Sequence, residues 1–150
     1  MLKLITPLTQ VDSSANFTVG SKTTTKDGNE YIYLPGTTAV AANDWVTFTS
    51  ATGSVTRLAT TGAKGQVAVA ISAVIGPNYG WFCTKGLVKA KMGTGAGTAG
   101  AQLYASGTAA YAGTAVVSGD LLAGAFVSGT YASGSVTCWI SNPFCTDTLS

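Results

Sequence analysis

The stretch Gly65-Gln-Val-Ala-Val-Ala-Ile-Ser-Ala-Val-Ile-Gly-Pro-Asn-Tyr-Gly-Trp81, continuing as Phe82-Cys-Thr-Lys-Gly-Leu-Val-Lys-Ala-Lys-Met92, decides the fold class. Its first part alternates with period two. Val67, Val69, Ile71 and Ile75 form a heavy face, while Ala68, Ala70 and Ser72 form a small one. A face that small lets a neighbouring element or another subunit approach closely. Gly76-Pro-Asn78 then supplies the residues that make a turn. In the second part Phe82, Val88, Ala90 and Met92 are apolar at even positions, and Lys85, Lys89 and Lys91 share the odd face. Two strands joined by a turn account for the whole stretch.

The same grammar extends in both directions. Short runs of β-branched and aromatic residues fall at 31–34, 45–49, 55–59, 66–75, 79–92, 102–105, 121–128 and 136–141. Between them lie Leu34-Pro-Gly36, Ala51-Thr-Gly53, Thr61-Gly62 and Ser133-Gly134, each a sensible turn. A short helix over 116–122 is the one helical alternative. The expectation is therefore an all-β protein: a single small β-barrel or sandwich over residues 29–143. Residues 1–28 carry a polar, Thr- and Ser-rich segment without sustained periodicity, and read as an extended N-terminal arm or loosely held edge. Residues 144–150 read as a C-terminal tail. Ala41-Ala-Asn-Asp-Trp45, Ala99-Gly-Ala-Gln-Leu103 and Val117-Ser-Gly-Asp-Leu121 each place a polar residue before a bulky one. They read as one turn chemistry used three times, with the polar side chain bonding a free backbone group.

Composition narrows the function. The chain has 150 residues, a net charge of +2 and 9% charged side chains, against about 25% in an average protein. Ala, Gly, Ser and Thr make up about half of it. Such a neutral surface favours association over dispersal. With no histidine there is no Ser-His-Asp or Cys-His system and no imidazole ligand for a metal. The small positive charge speaks against a nucleic-acid partner, and no run reaches the ~18–20 apolar residues of a membrane span. Cys83, Cys138 and Cys145 form no CxxC pair and read as reduced thiols, with a Cys138–Cys145 bridge as the alternative.

Candidate sites are few. Gly95, Gly97 and Gly100 spell GxGxxG, but no strand–helix–strand unit surrounds them, so a hairpin loop is expected and no cofactor. The carboxylates Asp12, Asp27, Glu30, Asp44, Asp120 and Asp147 are scattered among separate turns; Asp44 and Asp120 occupy the repeated turn position and read as caps rather than a catalytic pair. Trp45, Tyr79, Trp81, Phe82 and Trp139 read as core or subunit interface. Lys85, Lys89 and Lys91 read either as a solvated face or as a basic stripe that meets acidic groups on a partner. No enzymatic activity, cofactor or metal is expected.

The run from Gly65 to Trp81, the segment Lys85-Gly-Leu-Val-Lys-Ala-Lys91, the later Leu103-Tyr104 and the closing Val136-Thr-Cys-Trp-Ile-Ser-Asn-Pro143 resemble the capsid decoration (cement) proteins of tailed bacteriophages. The likeness spans roughly residues 36–143 and lies in strand style and order. It implies a small β-barrel on the exterior of the capsid, commonly a homotrimer, made in the bacterial host cytoplasm. There it ties neighbouring major capsid protein subunits together against the pressure of packaged DNA. The family carries no catalytic residues. Under this reading Leu2, Leu4 and Ile5 of the arm, with Lys85, Lys89 and Lys91, are the candidate capsid or subunit contacts. The alternatives are another virion part (fibre, spike or tail) or a carbohydrate-binding module.

Overall fold

Strands form where the β-branched and aromatic runs lie, and the computed structural model, which describes residues 7–37, 39–93, 96–115, 120–132 and 134–147, joins them in one sheet. In chain order they are β1 (Lys22–Thr24), β2 (Glu30–Pro35), β3 (Trp45–Thr49), β4 (Ser54–Arg57), β5 (Gly65–Ala70), β6 (Tyr79–Met92), β7 (Gln102–Ala105), β8 (Ala112–Gly113), β9 (Asp120–Val127) and β10 (Gly134–Asp147). The protein is all-β, as the alternation predicts.

The two longest strands, β6 and β10, organise the rest. They pair antiparallel from Lys85–Ser141 to Met92–Gly134. From β10 the ladder passes to β9, then β7 and β8, and β8 returns to β6 through a parallel Met92–Ala112 contact. The sheet thereby closes into a ring. β5 wedges against both β6 and β10, carrying β3 and β4 outward, while β2 and β1 extend the other flank of β6. A ring this narrow is filled by small side chains: Ala90, Ala105, Ala112 and Ala125 sit among Met92, Leu103, Leu122, Val127, Cys138 and Ile140. The abundance of alanine therefore has a packing cause.

A second core lies on the opposite face of β5. Val67 and Val69 join the ring interior, whereas Ala68 and Ala70 pack with Ile32, Leu34, Val46, Phe48, Val74 and Phe82. The small face read from the sequence is thus closed by the chain's own β2, β3 and β6, because alanine leaves room for Phe82 and Leu34. β5 ends at Ala70, where the backbone of Asn43 and Asp44 takes its hydrogen bonds, and Ile75 survives only as an isolated bridge to Thr37.

The segment read as an arm is fastened along most of its described length. β1 is an edge strand on β2, in register from Lys22–Ile32 to Thr24–Glu30. Asp12 pairs with Tyr79 through both backbone groups, at 2.9 and 2.8 Å. Its carboxylate accepts the Tyr33 hydroxyl at 2.6 Å, and Phe17 lies against Tyr33 and Trp81 with ring centroids 5.2 and 5.3 Å away. Polar composition hid this strap because its anchors are backbone bonds and one buried carboxylate. Other boundaries shift as well. Residues 144–147 belong to β10 rather than to a tail, and residues 120–122 are strand rather than helix. Residues 116–119 lie outside the described residues.

Candidate functional site

The site is a wall of the ring seen from outside. Val88, Ala90, Cys138 and Ile140 point inward, so the residues between them point to solvent. The register sets Leu87 opposite Trp139 and Trp139 opposite Phe126. These three side chains form one row across β6, β10 and β9, and they are 51%, 44% and 37% exposed. Directly opposed residues on one face approach within about 5 Å at Cβ, so the row is continuous. Phe144 adds a fourth exposed apolar side chain further along β10. Val19 and Ile75, on other segments of the chain, are the remaining large apolar side chains exposed among the described residues.

A bulge makes the wall one-sided. Cys83 and Val88 both face the ring interior although their positions differ in parity. The extra residue falls at Thr84, where the β2–β6 register steps from Tyr31–Cys83 to Glu30–Lys85. Gly86 follows with φ +113, and a Cβ there would collide with the Asn29 amide. That amide donates to the Leu87 carbonyl at 3.3 Å and holds the turn of the strand. Phe82 consequently lies in the second core, on the other side of the sheet from Val88, Ala90 and Met92. The single apolar face that the even positions suggest is split in two.

The lysine stripe also divides. Lys91 Nζ lies 2.6 Å from Asp44 Oδ1 and 5.6 Å from the centroid of the Tyr111 ring. Arg57 Nε lies 3.1 Å from the other carboxylate oxygen, which also accepts the Ala41 backbone N–H at 2.9 Å. Asp44 is fully buried and joins three segments of chain. Lys91 is therefore a structural cation. Lys85 and Lys89 stay on the wall, opposite Ser141 and Thr137, one on each side of the apolar row. Leu2, Leu4 and Ile5 lie outside the described residues.

Asp120, Gln102 and Gly97 bond within the fold. Asp120 Oδ2 accepts the Ala63 backbone N–H at 2.8 Å, and Gln102 donates to the Leu122 and Ala125 carbonyls at 2.7 and 3.1 Å. The three repeated polar residues do bond backbone, as expected; Asp44 does so locally and Gln102 in part, through the Leu103 carbonyl at 3.3 Å, whereas Asp120 reaches a distant segment. Gly97 exchanges two 3.0 Å backbone bonds with Tyr131 and packs under its ring, so no side chain fits there. Gly95 lies outside the described residues; β6 and β7, which flank the glycine-rich segment, do not pair with each other, so they form no hairpin. All three cysteines are buried and in no disulfide, and burial pushes the thiols of Cys83 and Cys138 up to about 12. They are poor nucleophiles at neutral pH. Trp45, Trp81 and Phe82 are core, and of that aromatic set Trp139 is the one turned largely to water.

Leu87 was legible as the residue between two lysines on the odd face. Phe126 was not, because the β9–β10 register slips between Ile140 and Phe144 and breaks the alternation. Among the described residues, no group of three or more His, Cys, Asp and Glu side chains is placed to hold a metal ion. What the wall offers chemically is desolvation of an apolar strip together with two cations. Comparison with family models, with curated proteins and with solved structures returns no match.

Proposed function

We propose that the protein is a structural component of a virion, a decoration protein that binds the outer surface of a tailed-phage capsid and cements neighbouring major capsid subunits. The observation that carries this reading is the Leu87–Trp139–Phe126 row, held in water on a rigid barrel wall. An apolar strip on three paired strands is organised before binding, so little conformational entropy is lost on docking. A footprint of roughly 800 Å² per partner is enough for stable association. A homotrimer would multiply the attachment, because once one subunit docks the others bind at high effective concentration. The resemblance of residues 36–143 to phage decoration proteins supplies the identity of the partner.

The test is co-sedimentation of the purified protein with empty phage heads that lack their decoration protein, together with a mass measurement of the protein alone. The expected result is saturable binding in a fixed ratio to the capsid subunit, and a trimeric mass. Absence of binding to any shell, with a stable fold, would overturn the reading.

A further inference from the structure

The charges around the wall select what it can dock, an inference that rests on the adhesive role proposed above. Asp12, Asp44 and Asp120 are buried, and their bonded oxygens accept from internal donors. Arg57 and Lys91 are in turn paired to Asp44. The outer surface is therefore more basic than a net charge of +2 suggests. On the wall itself Lys85 and Lys89 flank the apolar row and form no ion pair among the described residues, and the one carboxylate beside them in the register is Glu30 of β2, opposite Lys85. Two copies meeting through this face would bring four lysines, against the two Glu30 carboxylates, together around one apolar patch. Like charges confined at a desolvating contact are strongly disfavoured.

We infer that the β6–β10–β9 wall docks a different protein, whose surface presents an apolar centre edged by carboxylates, and not a second copy of this chain. Leu87, Trp139 and Phe126 bury against the apolar centre. Lys85 and Lys89 meet the carboxylates and fix the register. The partner's acidity steers the encounter, and the apolar row holds the complex.

A fluorescein-labelled random copolymer of Glu and Tyr serves as the probe, with polyglutamate and a single-stranded oligonucleotide for comparison, all followed by anisotropy. Trp45 and Trp81 are buried, so protection of tryptophan emission from acrylamide reports on Trp139. The copolymer is expected to bind at least about tenfold tighter than polyglutamate, a difference of about 1.4 kcal/mol, and to shield Trp139. Trp139→Ser should remove that preference, and Lys85→Glu with Lys89→Glu should abolish binding. Ile75→Ser removes another exposed apolar side chain, one that lies in the β5–β6 connection and not in the row, and should leave binding unchanged. Urea midpoints confirm that each variant is folded.

The inference is overturned if the copolymer does not bind, if Ile75→Ser weakens it as much as Trp139→Ser, or if the oligonucleotide binds tighter. It is equally overturned if sedimentation shows a self-association that Trp139→Ser dissolves, because the wall then takes a second copy. Shell binding separates the two readings. If the wall variants decorate heads as well as the wild type, the wall assignment falls and the decoration reading stands. If the wild type shields Trp139 with the copolymer but ignores shells, the decoration reading falls and the wall assignment stands.

Discussion

The two halves of β6 are built on different rules although one strand contains both. From Tyr79 to Thr84 the strand is enclosed, with Cys83 facing the ring interior and Phe82 the second core. From Lys85 to Met92 it alternates, with Val88, Ala90 and Met92 inside and Lys85, Leu87 and Lys89 outside. The first half reads as a continuous apolar run because elements cover both of its faces; the second reads as alternation because water covers one. Between them sit the Thr84 bulge and Gly86. A strand that would otherwise be all core is thereby turned into half core and half docking surface.

The contrast is broken most severely in the enclosed half. Trp81→Ala leaves a void against Tyr33 and Phe17 and should cost about 3–5 kcal/mol of unfolding free energy, measured by urea titration. A cost near that of Trp139→Ser would mean that the enclosed half of β6 is no more buried than the outer wall.

Alkaline titration tests how dry the core is on both sides of the bulge. Cys83 and Cys138 have their thiols raised by burial from an ordinary 9.0 to about 12. Below pH 9 both are neutral folded or unfolded, so their full contribution to stability is present. Above it the unfolded chain releases protons that the folded chain keeps, and stability falls as pH rises towards 12. The two thiols together should remove about 3 kcal/mol by pH 10. Tyr33, raised from 10.0 to about 12 by burial and by the Asp12 carboxylate, adds to the fall above pH 10. Urea midpoints that do not move between pH 8 and 10, or native thiols that alkylate rapidly at pH 8, would show that water reaches the core.

Asp44→Asn isolates the end of the alternating half. It leaves Lys91 and Arg57 without their counterion, and because both cations keep some contact with water the cost should be about 2–3 kcal/mol. It should also release Lys91 to the outer face and steepen the salt dependence of docking. Gly86→Ala attacks the switch between the halves. The positive φ and the Asn29 amide oppose a Cβ, so about 1–3 kcal/mol should be lost, together with the alignment of Leu87 and Trp139. The smallest effect on stability belongs to the wall: Trp139→Ser should change the urea midpoint by no more than about 0.5 kcal/mol equivalent, while removing the docking described above.

Much of this architecture was legible. The run at 79–92 and the runs at 45–49 and 102–105 coincide with β6, β3 and β7, because period-two patterning and turn residues are local properties. The strap was not legible. Asp12 and Phe17 sit in a polar context, and only the Tyr33 hydroxyl and the Trp81 ring, far along the chain, explain them. Deleting residues 1–28 would consequently remove β1 and uncover that aromatic cluster as well as remove any arm. The candidate site was half legible: Lys85 and Lys89 were named and lie on the wall, Lys91 was named and is internal, and Phe126 was hidden by a register slip.

By itself the sequence determined that the chain is all-β, where most of its strands and turns lie, and that it lacks histidine chemistry. These follow from residue type and nearest-neighbour spacing, which need no partner strand. Only the tertiary structure decided which face of each strand looks inward, which lysine leaves the surface for Asp44, and that Leu87, Trp139 and Phe126 align. Those outcomes depend on one bulge at Thr84 and on the register of β6, β10 and β9, and a shift of one residue in either would send every side chain beyond it to the opposite face.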